Sequence, residues 1–182
     1  EAMLSLVSEG AHNVNLVTPT PYADRLVPVL RRFKERSDVP IVYNCGGYES
    51  VETLRLLEGL GGVYLPDCKY LEAETAEKDS RAADYYPVAE AAIAEMLRQV
   101  GKPRFDGEGM LRRGVILRHL VLPGGRRESI ALLQRLHARF WSEAFLLSLM
   151  SQYTPFGEID GYKELSRPIT AREYDSVTNY AL

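Results

Sequence analysis

The chain has 182 residues, a length at which one domain can enclose a single hydrophobic core. Its 22 Lys and Arg residues and 25 Asp and Glu residues give a formal net charge of −3, with both signs mixed along the sequence. This pattern offers no basic stripe and argues against a nucleic-acid partner. No apolar run approaches the roughly 20 residues of a membrane-spanning helix, so we expect a cytoplasmic protein with no membrane partner.

The first segment, Glu1–Glu9, has apolar residues at helical spacing but no capping residue before it. We interpret it as the inside of a helix whose preceding strand and loop are missing. The sequence is therefore expected to form one N-terminally truncated domain over residues 1–182.

Short apolar runs that end in polar, Gly and Pro residues alternate with amphipathic segments along the rest of the chain. The runs are Asn13–Tyr22, Val39–Tyr48, Gly62–Tyr70, Gly114–Gly125 and Phe145–Gly157. Their Val, Ile and Leu content predicts parallel strands covered on both faces by crossover helices, which is an α/β fold. Five such units curl toward a barrel without closing it, so we expect an incomplete parallel (β/α) barrel.

Amphipathic periodicity predicts the helices between these strands. They are expected at Ala23–Arg36, from Ser50 onward, at about Pro87–Val100, at Arg127–Phe140 and at Thr170–Leu182. Ser50 and Thr170 are predicted N-caps, and Glu173 completes a capping box with Thr170. The charged stretch Glu72–Arg81 is expected on the surface, and the turn-rich stretch Gly101–Arg113 is expected to be a loop or small hairpin.

The carboxyl ends of parallel strands are where α/β proteins bind ligands, so the polar residues there are the candidate site. Asp67 and Lys69 share a face of the third run and would either grip a polar ligand or pair with each other. Uncharged pairs end two other runs and would either hydrogen-bond a ligand or cap the strands. These pairs are Thr18 with Thr20 and Gln152 with Thr154.

Arg118 and His119 alternate in the fourth run, so at most one of them faces the site. His119 is interpreted either as an acid or base near neutral pH or as a core residue held by a hydrogen bond. Cys45 and Cys68 end neighbouring strands, and they are interpreted either as buried inert thiols or as a disulfide or shared metal site.

A set of strings, in chain order, closely resembles the radical S-adenosylmethionine (SAM) superfamily. They are LVTPTPY, IVYNCGGY, YLPDCKY, EMLRQVG, RRGVILRHLVLPGG, MSQYTPFG and RPITAREY. Within the superfamily they are similar to uncharacterised proteins related to the pyruvate formate-lyase activating enzyme. The resemblance covers nearly the whole chain and implies five strands of a (β/α)6 partial barrel.

The resemblance also implies SAM-binding positions. Thr18-Pro19-Thr20-Pro21 falls where relatives have a Gly-Gly-Glu turn, so only its backbone could take that role. Asn44 falls at a ribose-contacting position, Asp67 and Lys69 match an Asp-x-Lys that faces SAM, and Arg118 matches an Arg of the fifth-strand motif. Thr154 replaces a His. The predicted cofactor-binding set is Thr18, Thr20, Asn44, Asp67, Lys69, Arg118, Gln152 and Thr154.

The family's CxxxCxxC loop, which holds a [4Fe-4S] cluster, is absent from this sequence. Its chemistry needs three thiolates on one loop, so we expect no metal ligands here and no activity from the fragment alone. In the parent protein the resemblance implies that SAM is cleaved to a 5′-deoxyadenosyl radical, which takes a hydrogen atom from a substrate or a partner protein. Two alternatives remain open: a Schiff-base lyase or aldolase using Lys69, and a non-catalytic barrel that acts as a binding module.

Overall fold

A computed structural model describes residues 1–140, 145–157 and 161–182, and within them the fold is α/β. The strands are β1 (Val14–Val17), β2 (Ile41–Cys45), β3 (Val63–Pro66), β4 (Arg104–Phe105), β5 (Leu111–Leu120) and β6 (Leu146–Met150). The α-helices are α1 (Ala2–Ser8), α2 (Ala23–Lys34), α3 (Val51–Leu56), α4 (Ala73–Ser80), α5 (Tyr85–Val100), α6 (Arg126–Phe140) and α7 (Ala171–Ala181). Short 3-10 helices at Thr20–Tyr22 and Lys163–Ser166 complete the described elements.

The described strands form one mostly parallel sheet of six strands in the order β1-β2-β3-β5-β4, with β6 also paired to β5. Parallel pairing sets Val14 opposite Ile41, Val42 opposite Val63, and Val63 opposite Gly114. The five predicted strands are thus confirmed. Of the loop and the small hairpin predicted for Gly101–Arg113, the structure shows the hairpin, since β4 pairs antiparallel with the start of β5.

The predicted caps account for the start of two helices. The Ser50 hydroxyl accepts a hydrogen bond from the Thr53 N–H at 3.0 Å, which satisfies one otherwise unpaired donor of α3. At α7, Thr170 and Glu173 form the reciprocal capping box that the sequence predicts.

The charged stretch before the long helix is itself helical, which the sequence did not indicate. Within α4, Ala76 is buried, while the residues around it are exposed or half-buried. One small buried residue is a weak periodic signal, so a short helix of this kind is difficult to distinguish from a surface loop.

The chain divides into two compact units. The first comprises Glu1–Asp67, Pro87–Leu117 and residues 145–146; the second comprises Cys68–Tyr86 and residues 118–140, 147–157 and 161–182. The core of the first unit includes Leu30, Tyr43 and Met96. In the second unit, Val121, Leu133 and Val177 are buried where α6 and α7 pack. The prediction of one domain over residues 1–182 stays a prediction.

Candidate functional site

The turn that follows β1 has an unusual backbone. Thr18 has φ of +51°, in the left-handed region that a β-branched residue rarely adopts. Its N–H donates to the carbonyl oxygen of Asn44 at 2.7 Å, so the turn is held against the end of β2. Such strain costs about 1–3 kcal/mol and is found most often at functional sites.

A hydrogen-bonded network in the first unit links this turn to β2 and the loop after it. The Thr20 hydroxyl donates to Glu49 Oε2 at 2.6 Å and lies 2.8 Å from the Tyr43 hydroxyl. Because Thr20 has one proton, which it gives to Glu49, the Tyr43 hydroxyl must donate to Thr20. The Cys45 thiol donates to the same carboxyl group.

Glu49 is an ionisable residue that is buried within this network. Its side chain is 5% exposed, and no described Lys, Arg or His forms an ion pair with it. Burial raises the pKa of Glu49, while the donors Thr20 and Cys45 lower it in part. Burial, together with the charge of Glu49, also raises the pKa of Tyr43 and of Cys45. The network therefore favours neutral groups at the strand ends.

Asn44 and Asp67 also lie at strand ends of the first unit. Asn44 belongs to β2 and is half-buried, and Asp67 directly follows β3 and is likewise half-buried. The Asp67 N–H donates to the carbonyl oxygen of Cys45 at 3.0 Å, which continues the β2–β3 ladder by one residue. Both residues are thus on rigid backbone at the carboxyl edge of the sheet.

The second unit contains a cleft of about 390 Å³ beside the ends of β5 and α4. Lys69 is exposed at its rim, and its N–H donates to the Tyr85 hydroxyl at 3.1 Å. Lys78 and Glu164, which also line the cleft, pair at 2.6 Å. A Schiff-base lysine is typically desolvated in an apolar pocket, whereas Lys69 is exposed to solvent.

His119 lies on the buried face of β5 and is bonded at both ring nitrogens. Nδ1 lies 2.7 Å from the carbonyl oxygen of Cys68, and Nε2 lies 2.9 Å from the Ser129 hydroxyl. Since a carbonyl oxygen only accepts, Nδ1 carries the proton and Ser129 donates to Nε2 in the neutral ring. Of the two sequence interpretations, the structure shows the core histidine with hydrogen bonds.

The remaining predicted residues lie in the second unit. Arg118 is half-buried on the face of β5 opposite His119, as the alternation predicts, and its carbonyl oxygen accepts the Cys68 N–H at 2.8 Å. Gln152 and Thr154 are exposed in the segment after β6. The intervening Tyr153 donates its hydroxyl to the carbonyl oxygen of Leu165 at 2.7 Å, which holds the segment to the second 3-10 helix.

Both cysteines are buried, and neither forms a disulfide. In the described parts of the chain, no three His, Cys, Asp or Glu side chains come together in a way that could hold a metal ion. Across the same residues, no helix is long and apolar enough to cross a membrane.

Glu49 is the main residue that the sequence analysis missed. The pairing of Tyr43 with Cys45 on one face of β2 was readable from their spacing. The position of Glu49 was not readable from the sequence, because the loop that carries it turns back to the strand ends at Gly47, whose φ is +82°. The alternation of side chains along a strand gives no information about the path of the loop that follows the strand.

No family model matches this sequence. The chain is similar to an uncharacterized protein of Methanocaldococcus jannaschii, with 27% identity over 171 residues. The alignment covers 93% of this chain and 46% of that protein, so the chain spans about half the length of the curated relative it matches.

Proposed function

We propose that this chain is the part of a radical SAM enzyme that carries the strands after the cluster-binding loop, with its sheet belonging to a partial (β/α)6 barrel. The parent protein would resemble the pyruvate formate-lyase activating enzymes and act in the cytoplasm. Its proposed reaction is reductive cleavage of SAM to a 5′-deoxyadenosyl radical, which removes a hydrogen atom from a substrate or a partner protein.

The observation that carries the proposal is the backbone of Thr18. The resemblance aligns Thr18-Pro19-Thr20-Pro21 with a Gly-Gly-Glu turn, and Thr18 has φ of +51°, a conformation that glycine adopts at no steric cost. The end of β1 thus has a backbone conformation that glycine would favour, although the residue there is Thr18. A strained conformation at a residue that does not favour it supports a functional role for the turn.

The polar groups around this turn suit the chemistry of SAM. Backbone carbonyl oxygens of the turn would accept hydrogen bonds from the ammonium group, and the side chains of Asn44 and Asp67 would hold ribose and polar atoms. Both residues are half-buried, and hydrogen bonds hold the backbone at these strand ends, which supports a preorganised site. When bound beside a reduced cluster, SAM supplies the radical chemistry of this superfamily.

The chain's own residues do not fit the [4Fe-4S] cluster. The sequence has two cysteines, both buried, whereas the cluster needs three thiolates on one loop. In the proposal its ligands belong to a part of the parent protein outside these 182 residues, and more than half of the length of the archaeal relative lies outside its match to this chain.

SAM binding to the product of the complete reading frame, purified and reconstituted with iron and sulfide without oxygen, tests the proposal. We expect Asp67→Asn to weaken SAM binding by about tenfold, since it removes a charge-assisted hydrogen bond. Asp38→Asn is the matched control because the Asp38 side chain is 98% exposed and should leave affinity unchanged. Equal affinities for the wild type and both variants would contradict the assignment of Asp67.

A further inference from the structure

Arginines line an open cavity of about 460 Å³ in the second unit, where α6 and α7 begin. The lining residues are Gly124, Arg126, Arg127, Thr170, Arg172 and Glu173. None of them is among the residues proposed to bind SAM. In a chain of net charge −3, three guanidinium groups around one cavity form a local concentration of positive charge.

The carboxylate in this cavity does not neutralise these arginines, because it is already committed elsewhere. Glu173 accepts two hydrogen bonds from the Arg167 guanidinium, at 2.7 and 2.8 Å, and others from the N–H groups of Gly124 and Thr170. The Arg167 hydrogen bonds, the largest cause, hold the pKa of Glu173 well below its ordinary value, so it stays ionised and paired with Arg167. Glu173 is therefore not available as an ion-pair partner for Arg126, Arg127 or Arg172.

The arginines themselves have few partners. Arg126 donates to the Ser176 hydroxyl at the long distance of 3.5 Å. Among the described residues, no hydrogen bond or ion pair joins the exposed side chains of Arg127 and Arg172 to another group. Two guanidinium groups are therefore available to a ligand in the cavity.

The positions of these arginines are unfavourable for the helices that carry them. Arg126 and Arg127 are in the first turn of α6 beside Glu128, and Arg172 is in the first turn of α7 beside Glu173. The amino-terminal end of a helix carries partial positive charge and favours Asp or Glu there. Residue types that lower the stability of their own helix are expected at positions where function requires them.

From this arrangement we propose that the cavity binds the phosphate group of a small molecule, either free phosphate or a phosphate monoester. Planar guanidinium groups match phosphate oxygens in bidentate geometry, and several of them together favour a dianion over a monoanionic carboxylate. Bound phosphate would also remove the unfavourable interaction of the arginines with the helix ends. The inference is independent of the proposed reaction with SAM.

Calorimetric titration of inorganic phosphate and of glycerol 3-phosphate, with chloride adjusted to constant ionic strength, tests this site. We expect saturable binding of one phosphate group per chain, weakened by about tenfold or more in the Arg127→Gln/Arg172→Gln double variant. Tighter binding of glycerol 3-phosphate than of phosphate would identify an ester as the ligand, and the reverse would identify free phosphate. Arg25→Gln/Arg31→Gln, which removes two exposed arginines of α2, is the matched control and should bind like the wild type.

The same double variant also distinguishes a binding role from a structural one. Without phosphate, its melting temperature should equal or exceed that of the wild type, because cations have been removed from two helix amino termini. Arg127→Lys/Arg172→Lys keeps both charges but not the fork geometry, so its affinity should be intermediate. Binding that does not saturate, or affinities that agree within about twofold between the wild type and the Gln double variant, would overturn the proposal.

Discussion

Thr18 combines a side chain that disfavours the left-handed region with a backbone held there at φ of +51°. Replacing it with glycine relieves this conflict, although glycine also has more freedom to lose on folding. We expect Thr18→Gly to raise the free energy of unfolding by roughly 0.5–1 kcal/mol, measured by urea denaturation.

A matched substitution separates strain from a general effect of glycine. Thr75→Gly lies inside α4, where the difference in helix propensity between Thr and Gly predicts a loss of about 0.3–0.5 kcal/mol. A loss of stability at both positions would contradict the assignment of strain to Thr18.

Glu49 should make stability depend on pH. Its folded pKa is raised above the ordinary value of 4.5, chiefly by burial, so the folded state holds a proton that the unfolded chain has released. The stabilisation by that proton is complete below about pH 4.5 and is lost as the pH rises through the folded pKa. Glu49→Gln keeps a neutral group at the site and should remove this loss.

The check is the difference in unfolding free energy between the wild type and Glu49→Gln, measured from about pH 4 to pH 8. Relative to the wild type, the variant should become more stable as the pH rises. Other carboxyl groups, such as Glu95 with its pKa lowered to about 2 by Arg98, titrate equally in both proteins and cancel. If the free energies of unfolding of the wild type and of Glu49→Gln changed with pH in parallel, Glu49 would not be protonated preferentially in the folded state.

At the scale of helices and strands, features set by local sequence could be predicted, whereas features set by tertiary contacts could not. The strands, the hairpin and the capping box of α7 follow from periodicity and from residue types at fixed spacing. Helix α4 and the return of Glu49 to the strand ends depend on packing and on a loop, and neither leaves a periodic pattern. The arginines at the start of α6 and α7 were readable in sequence, but their convergence on one cavity was not.

The capping box predicts a specific energetic contribution to α7. Thr170→Ala removes the side-chain acceptor for the Glu173 N–H and should lower the free energy of unfolding by about 1 kcal/mol. Thr178→Ala, in the interior of the same helix, removes a residue of lower helix propensity and should have no destabilising effect of that size. Equal losses for both variants in urea denaturation would show that the cap contributes nothing specific.

For the whole molecule, the exposed edge of β1 is the most consequential feature of the sheet. Among the described strands β1 pairs with β2 alone, and Val17 in it is 71% exposed. The Val14 and Thr18 N–H groups donate hydrogen bonds on the β2 side. Because the direction of the N–H groups alternates along a strand, those of the odd-numbered residues between Val14 and Thr18 face away from β2. Open edges of this kind template pairing with another strand.

We therefore expect this 182-residue chain to self-associate with increasing concentration, as measured by sedimentation velocity. Val17→Lys places a charge on the edge and should shift the chain toward monomer. Val29→Lys, which removes an exposed apolar residue from α2 instead, is the control and should leave association unchanged. Association that is insensitive to Val17→Lys would exclude the β1 edge as the contact.

The central claim is that the strained turn after β1 and the polar strand ends belong to a radical SAM enzyme. Its most direct test is 5′-deoxyadenosine formation by the product of the complete reading frame, reconstituted without oxygen and supplied with SAM and a strong reductant. We predict about four iron atoms per chain and reductant-dependent 5′-deoxyadenosine. A protein that binds no iron, or that binds it and forms no 5′-deoxyadenosine, would contradict the claim.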